Sequence, residues 1–253
     1  FTQLFVLMLG IILTVNTFNS QAQPVPVAAY NFEEDARDET GNYNGTLEGD
    51  AAIVEEAERG NVLYLKETGY VSISPKLADT LEDFSFTAWV NYNGTVDWAG
   101  LMGMGVTELN GWPYWDFHIR GTQILSYYAA KEVKWPSGSS GMYLPNYTLP
   151  KQEWVHIAFS FTKNVGAAVY INAEAQEQQI WVGPNTHHVT PKSIDAQIVT
   201  IGRDIYNQGV LTDTYIDNFR FFDVPISDFE VSEIMEEIAP AETGIEKNVA
   251  PGK

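Results

Sequence analysis

The stretch Phe84-Ser85-Phe86-Thr87-Ala88-Trp89-Val90 decides the fold of this 253-residue chain. Alternate residues of an extended strand point to opposite faces, so the apolar residues at positions 84, 86, 88 and 90 share one face. The polar residues at positions 85, 87 and 91 share the other, and residues 154–161 (WVHIAFSF) repeat this design. Such two-sidedness is what a strand needs when one face of its sheet packs on a second sheet.

Outward from this stretch, short alternating or β-branched runs fill residues 24–237 and are broken by Gly, Asn, Asp and Pro. The predicted strands are Val27–Phe32, Val62–Lys66, Tyr70–Ser74, Phe84–Asn91, Trp115–Arg120, Ile124–Ala129, Trp154–Phe161, Ala167–Asn172, Gln178–Val182, Ile198–Gly202 and Tyr215–Phe222. Strands at this spacing indicate an all-β sandwich or barrel rather than alternating βαβ units.

One helix is predicted after the last strand. Ser227-Asp228-Phe229-Glu230 has the S-x-x-E spacing of a capping box, in which the Ser hydroxyl and the Glu carboxylate each accept a hydrogen bond from a free N–H of the first turn. We expect Phe229, Ile234 and, as a further candidate, Met235 to face the sandwich.

The composition excludes several classes of function. The chain has 33 Asp+Glu against 14 Lys+Arg, a formal net charge of −19, and no Cys. The charge argues against nucleic acid or anionic lipid as a partner, because phosphate contacts need clustered Lys and Arg. The absence of Cys excludes disulfides, thiolate metal sites and Cys-based catalysis. The acidic surface suits binding of cations or neutral polymers.

The two ends differ from the rest of the chain. Residues 4–15 are almost wholly apolar but too few to cross a bilayer, so residues 1–23 are predicted to be a signal peptide. The alternative is a buried N-terminal helix or strand. Residues 239–253 have the composition of a linker. We therefore expect one domain over residues 24–238 and a secreted or cell-surface protein whose mature chain does not insert into the membrane.

Several segments resemble those of laminin-G-like domains, which belong to the concanavalin A-like lectin/glucanase superfamily. Residues 28–33 (AAYNFE) and 38–46 (DETGNYNGT) resemble the opening Y-x-F-(D/E)…D-x-(S/T)-G-N-x-x-x-G-T. The later matching segments, in the expected order, are residues 70–73 (YVSI), 84–90 (FSFTAWV), 153–159 (EWVHIAF), 169–172 (VYIN) and 215–222 (YIDNFRFF). Ala173 stands where Gly is usual. The resemblance covers residues 25–237 and implies an antiparallel two-sheet jelly roll.

Asp217 is a candidate for a buried charged group. Strict alternation places Asp217 on one face with Tyr215, Phe219 and Phe221, and a carboxylate buried among aromatic rings needs a partner. The partner is Arg37, Arg59 or Arg203, a set of backbone amides, or a Ca²⁺ ion, which binds carboxylate and carbonyl oxygens.

The family resemblance extends the calcium alternative to other residues. In this superfamily the Asp of the final strand often joins oxygens of the N-terminal strand and its following loop around a structural Ca²⁺. Carried over to this chain, the ligands are Asp217, Glu33, Asn31 and the carbonyl of Gly45, with Asp38 as the next candidate.

Catalysis has a weaker signal. Hydrolytic relatives place their acids on one strand as E-x-D-x-x-E, and this run is absent. The nearest approach is Asp116 with His118, which share a strand face and could transfer a proton. More often such a pair is the polar lining of a concave sheet.

Aromatic residues in predicted loops favour glycan binding, because apolar sugar faces stack on rings while polar side chains bind the hydroxyls. The alternative for these rings is packing in the core or at its rim. The predicted ligand-binding residues are Trp112, Tyr114, Asp116, His118, Trp135 and Tyr143.

The favoured interpretation is an exported, non-catalytic carbohydrate-binding or adhesion module, with a glycan or polysaccharide as its partner. One alternative is a polysaccharide hydrolase or lyase with an atypical site around Asp116 and His118. Another is a protein-interaction module, since laminin-G-like domains also bind proteins.

Overall fold

The computed structural model describes residues 22–110, 112–129, 139–182 and 189–238. Its strands are β1 (Ala28–Tyr30), β2 (Gly45–Glu48), β3 (Ala52–Glu56), β4 (Gly60–Leu65), β5 (Tyr70–Ile73), β6 (Phe84–Tyr92), β7 (Ala99–Gly105), β8 (Tyr114–Arg120), β9 (Gln123–Ala129), β10 (Ser139–Tyr143), β11 (Trp154–Thr162), β12 (Gly166–Ile171), β13 (Glu174–Ala175), β14 (Gln179–Val182), β15 (Ile198–Ile201) and β16 (Thr214–Phe222). Two 3₁₀ helices span Pro75–Thr80 and Pro191–Ile194, and helix α1 spans Asp228–Glu237. The predicted signal peptide, except its last two residues, and the predicted linker lie outside these ranges.

The strands form two antiparallel sheets of eight strands each. Sheet A has the order β13-β12-β11-β6-β16-β4-β3, and β1 also pairs with β16. Sheet B has the order β14-β10-β9-β8-β7-β15-β5-β2. The predicted all-β, two-sheet jelly-roll sandwich is confirmed.

The core lies between the inner faces of the two sheets and is largely aromatic. Phe84 of β6 meets Trp115 of β8 edge-on, with ring centroids 5.2 Å apart. Phe86 meets Phe117 in the same way at 5.0 Å and stacks on Phe219 of β16 at 5.4 Å. Edge-to-face and offset-stacked rings add to the free energy of apolar burial. The Phe84–Trp115 and Phe86–Phe117 pairs therefore fix how the two sheets pack, and the Phe86–Phe219 pair joins neighbouring strands of sheet A.

Helix α1 begins as the sequence predicts and covers the outer face of sheet A. Ser227 N donates to Glu230 Oε2 at 2.7 Å, and Glu230 N donates to Ser227 Oγ at 3.3 Å, which completes the capping box. Val231 and Ile234 are buried against the sheet. The expectation for Phe229 was wrong, because its side chain is 62% exposed. The helix turns Val231 and Ile234 toward the sheet instead. No helix in the described ranges has the length and apolarity of a membrane span.

Candidate functional site

Strand β8 separates core residues from polar ones. Trp115, Phe117 and Ile119 point into the core. The intervening Asp116 and His118 lie on the outer face of sheet B, with Asp116 opposite Gly103 of β7. The alternation of the strand thus brings together the two polar residues that the sequence singled out.

A loop covers this part of sheet B. The loop, residues 202–213 and hereafter the covering loop, is joined to β7 by a bridge between Val210 and Gly100. A Cβ atom at Gly100 would clash with the main chain of Arg203 and Asp204, so glycine is required for this approach. As a result Asp116 is fully buried and His118 is only 3% exposed.

The covering loop also contacts the aromatic residues before β8. Tyr206 packs on Tyr114 with ring centroids 5.1 Å apart and meets Trp112 edge-on at 6.0 Å. Tyr114 is buried, and Trp112 is half-buried beside it. Trp112 and Tyr114 therefore pack together against the covering loop.

Three titratable side chains meet under the covering loop. His118 Nε2 lies 3.5 Å from Asp204 Oδ2 and 3.9 Å from Asp116 Oδ2. The second carboxylate oxygens are held by the main chain: Asp116 Oδ1 accepts from Ile205 N at 2.9 Å, and Asp204 Oδ1 accepts from Asn207 N at 2.8 Å. These three side chains form a group whose ligand atoms lie within 4.8 Å of one another and could hold a metal ion.

The electrostatics of this group are dominated by burial. Removal from water raises the pKa of Asp116 well above its usual range, and the nearby charge of Asp204 raises it further. Hydrogen bonds from the main chain of Ile205 and Tyr206 act in the opposite direction. Sequence reasoning missed Asp204, because its only signal is an Asp just after a buried strand, far along the chain from Asp116.

An open groove lies beside the buried group on the same face of sheet B. It encloses about 330 Å³ and is lined by Trp98, Arg120, Gln123, Leu125 and Tyr143. The Arg120 guanidinium lies 4.7 Å from the Trp98 ring centroid, and the Trp98 ring meets His118 edge-on at 5.6 Å. The groove thus combines aromatic walls with hydrogen-bonding groups.

Of the five predicted ligand-binding residues that the structure describes, Tyr143 is the one that lines this groove. Its hydroxyl donates to Gln179 Oε1 at 2.6 Å. Trp135 lies outside the described residues. Arg120 and Gln123 were missed as groove residues, because polar residues at the turn between two strands give no distinctive sequence signal.

Asp217 occupies a different place from the one predicted. The pairing of β16 with β6 shifts in register after Asp217, and Asn218 adopts a left-handed conformation with φ of 49°. This bulge lets both Ile216 and Phe219 point into the core, so the expected shared face of Asp217 and Phe219 was wrong. Asp217 pairs with Trp89, which packs on the outer face of sheet A.

The partner of Asp217 is Arg59. Arg59 Nε donates to Asp217 Oδ2 at 2.6 Å, and both side chains are almost completely buried. The guanidinium also donates from Nη2 to the carbonyl of Ile238 at 2.6 Å and lies 4.4 Å from the Trp89 ring centroid. Of the partners that the sequence left open, the structure places the arginine at Asp217.

The other predicted calcium ligands lie apart from this ion pair. Asn31 Oδ1 accepts from Glu33 N at 3.1 Å, and the Glu33 side chain is exposed. Gly45 belongs to β2 of sheet B, and its N–H donates to Ala36 O at 2.8 Å. No side-chain hydrogen bond in the described ranges joins Asp217 to any of these three residues.

Asp38, the remaining calcium candidate, is satisfied by protein donors. Its carboxylate accepts from the backbone N–H of Ala29, Thr40, Asn42 and Tyr43 at 2.9–3.0 Å. Burial acts to raise the pKa of Asp38, but these bonds and that of the Thr40 hydroxyl outweigh it, so the pKa is lowered. The D-x-T-G-N segment is therefore a turn held together by its own carboxylate.

Comparison with known proteins agrees with the fold. The family model described as concanavalin A-like lectin/glucanases superfamily matches residues 65–232, about two thirds of the chain. The chain belongs to this superfamily. No curated protein matches it.

Solved structures of the superfamily's sandwich type are similar to this chain at low identity. Domain 4 of AbnA, an extracellular arabinanase from Geobacillus stearothermophilus in complex with arabinotriose, aligns with a TM-score of 0.62 at 17% identity, covering 84% of this chain and 99% of that one. The receptor-binding domain of botulinum neurotoxin mosaic serotype C/D aligns with a TM-score of 0.61 at 14% identity, covering 84% and 50%. A botulinum neurotoxin DC binding domain in complex with rat synaptotagmin II aligns with a TM-score of 0.58 at 11% identity, covering 83% and 51%.

Proposed function

We propose that this superfamily member is a non-catalytic carbohydrate-binding module of an exported protein and that the groove at Trp98 binds the glycan. The observation that carries the proposal is the open, aromatic-walled groove of about 330 Å³ on the outer face of sheet B. Sugars need an apolar plane for their C–H faces and polar groups for their hydroxyls, and this groove offers both.

Each lining residue has a distinct role in this proposal. Trp98 provides the stacking plane, and its ring is contacted by the guanidinium of Arg120 and, edge-on, by the ring of His118. Arg120 and Gln123 donate hydrogen bonds to sugar hydroxyls. Leu125 supplies the buried apolar floor, and Tyr143 a second aromatic wall.

Binding is favoured over cleavage by what lines the groove. Hydrolysis of a glycosidic bond requires carboxyl groups on both sides of the bond. The described residues that line the groove include no carboxylate. Asp116 and His118, the pair on which the hydrolase alternative rests, are covered by residues 202–213 and do not reach a bound polymer.

Charge and similarity support the same class of partner. A net charge of −19 repels strongly acidic polymers at low salt, so neutral glycans are the favoured ligands. The neighbour in complex with arabinotriose supports a sugar ligand. Export is supported by the apolar residues 4–15 and by the extracellular arabinanase among the neighbours.

The decisive experiment compares two tryptophans on a glycan array and by calorimetry with arabinotriose and the best array ligand. We expect Trp98→Ala to weaken binding by about 1–3 kcal/mol, because a stacking plane and its buried area are lost. Trp112→Ala is the matched control, since its ring packs on Tyr114 and Tyr206 rather than in the groove.

Three outcomes would contradict this proposal. Unchanged affinity in Trp98→Ala with a loss in Trp112→Ala would move the site to the covering loop. Release of shorter oligosaccharides from the bound polymer would favour the hydrolase or lyase. Absence of binding to every glycan, with capture of a protein partner, would favour a receptor-binding module, as in the neighbour bound to synaptotagmin II.

A further inference from the structure

We propose that Asp116, His118 and Asp204 form a binding site for one divalent transition-metal ion of the Zn²⁺ class. The site adjoins the glycan groove through the contact of His118 with Trp98, but this proposal does not depend on the proposed function. It is formed by two residues of β8 and one residue of the covering loop, so an ion bound there joins the loop to sheet B.

The first argument is that polar atoms converge here without partners. Asp116 Oδ2 and Asp204 Oδ2 are buried and accept no hydrogen bond, although both belong to fully buried side chains. His118 Nε2 lies 3.5 and 3.9 Å from these two oxygens, too far for good hydrogen bonds. Buried polar atoms are rarely left unpaired, and two such carboxylate oxygens within 4.8 Å of an imidazole nitrogen are a donor set suited to a cation.

The second argument is charge. Two fully buried carboxylates lie together, and the ion pairs of the described residues give them no cationic partner except His118. With both carboxylates ionised, a protonated His118 would still leave one negative charge uncompensated in the protein interior. A dication with neutral His118 brings the group to zero, which removes the cost of burying an unpaired charge.

The ligand types select the metal. Imidazole nitrogen together with carboxylate oxygen suits Zn²⁺ and similar first-row ions. Ca²⁺ instead takes six to eight oxygen ligands, and Mg²⁺ is usually held by carboxylates and water. The distances of 3.5 and 3.9 Å from His118 Nε2 are close to the spacing of neighbouring ligands around an ion with bonds of about 2.0–2.2 Å.

The test begins with protein stripped by chelator and dialysed against ZnCl₂. We expect one Zn²⁺ per chain by elemental analysis and a melting temperature that rises with free Zn²⁺, because the ion binds the native state. His118→Gln and Asp204→Asn should each weaken uptake at least tenfold. CaCl₂ at the same concentration should not raise the melting temperature.

His156→Gln is the matched control. His156 is also fully buried, and both its ring nitrogens lack hydrogen-bond partners, but it lies in sheet A. This variant should keep one Zn²⁺ per chain. The double variant His187→Gln/His188→Gln should keep it as well, which excludes adventitious binding by the adjacent histidines.

Co²⁺ gives a readout that does not depend on the variants folding. Wild-type protein loaded with CoCl₂ should show ligand-field absorption in the visible without thiolate charge-transfer bands, since the chain has no Cys. No Zn²⁺ uptake by the wild type, full uptake by folded His118→Gln, or loss in the His187/His188 variant alone would overturn the proposal. Stabilisation by Ca²⁺ but not by Zn²⁺ would overturn the class of metal.

Discussion

His156 is neutral for a reason that the structure makes specific. Its ring is fully buried beside Trp89, with ring centroids 5.4 Å apart, and neither nitrogen has a hydrogen-bond partner. Burial, with the nearby charges of Arg59 and Arg220, lowers the pKa of His156 to about 3. The native state therefore excludes a proton that the unfolded chain accepts below its ordinary pKa of 6.5.

This difference predicts the pH dependence of stability. Between pH 6.5 and about 3 the unfolded state binds one more proton at His156 than the native state does. The stability that the neutral, buried His156 contributes is therefore fully present above pH 6.5 and is lost as the pH falls toward 3. The slope approaches about 1.4 kcal/mol per pH unit. We expect the free energy of unfolding of the wild type, measured in urea from pH 7 to pH 4, to fall with this slope relative to that of His156→Gln once the pH is below 6.5. Parallel profiles for the two proteins would contradict the prediction.

At the scale of elements, the Arg59–Asp217 pair connects two parts of sheet A to the end of helix α1. Arg59 lies in the turn between β3 and β4, Asp217 belongs to β16, and the carbonyl of Ile238 lies just after α1. A single guanidinium thus holds a hairpin, a central strand and the end of a helix. The Trp89 ring also packs on the Arg59 guanidinium, at 4.4 Å from its ring centroid.

Removing one member of this pair should be costly. Arg59→Met or Asp217→Leu alone leaves a buried charge uncompensated, and we expect a loss of about 3–5 kcal/mol in the free energy of unfolding. The double variant should lose much less than the sum of the two, because no charge then remains buried. A double-mutant cycle by chemical denaturation measures this coupling. Additive losses would show that the pair does not act as a unit.

The elements also explain which parts of the fold were predictable. Strands with clear alternation, such as β6 and β11, were predictable because apolar and polar residues alternate along their sequences. Strand β7 was missed, since its sequence AGLMGMG contains three of the glycines that strands usually avoid. Gly100 is required because the main chain of the covering loop occupies the space that a Cβ atom at this position would need.

The candidate sites were predictable only in part for a related reason. Period-two alternation correctly placed Asp116 with His118, but it failed at Asp217, because the bulge at Asn218 reverses the faces. Asn is among the residues that tolerate a left-handed conformation, so Asn218 is a weak indication in the sequence that a bulge could occur here. Contacts such as that of Ile205 N with Asp116 join distant positions, and one sequence does not reveal them.

At the scale of the molecule, both ends of the predicted domain enter sheet A. Strand β1 pairs with β16, and one continuous core cluster extends from Ala28 to Phe221. No point between them divides the strands that the structure describes into two independent sets. We predict that limited proteolysis trims the protein to one resistant core near residues 24–238, as measured by mass spectrometry after native gel filtration. Two separable stable fragments divided near residue 140 would contradict this.

The position of β16 has a consequence for biosynthesis. It lies between β6 and β4, yet along the chain it follows every other described strand. Until it emerges, β6 and β4 present unpaired edges with apolar faces, which are templates for pairing with other chains. A nascent chain of this topology depends on late, non-local closure, so its folding is slow compared with that of helical domains. We expect the time before β16 inserts to be when the chain most needs a chaperone.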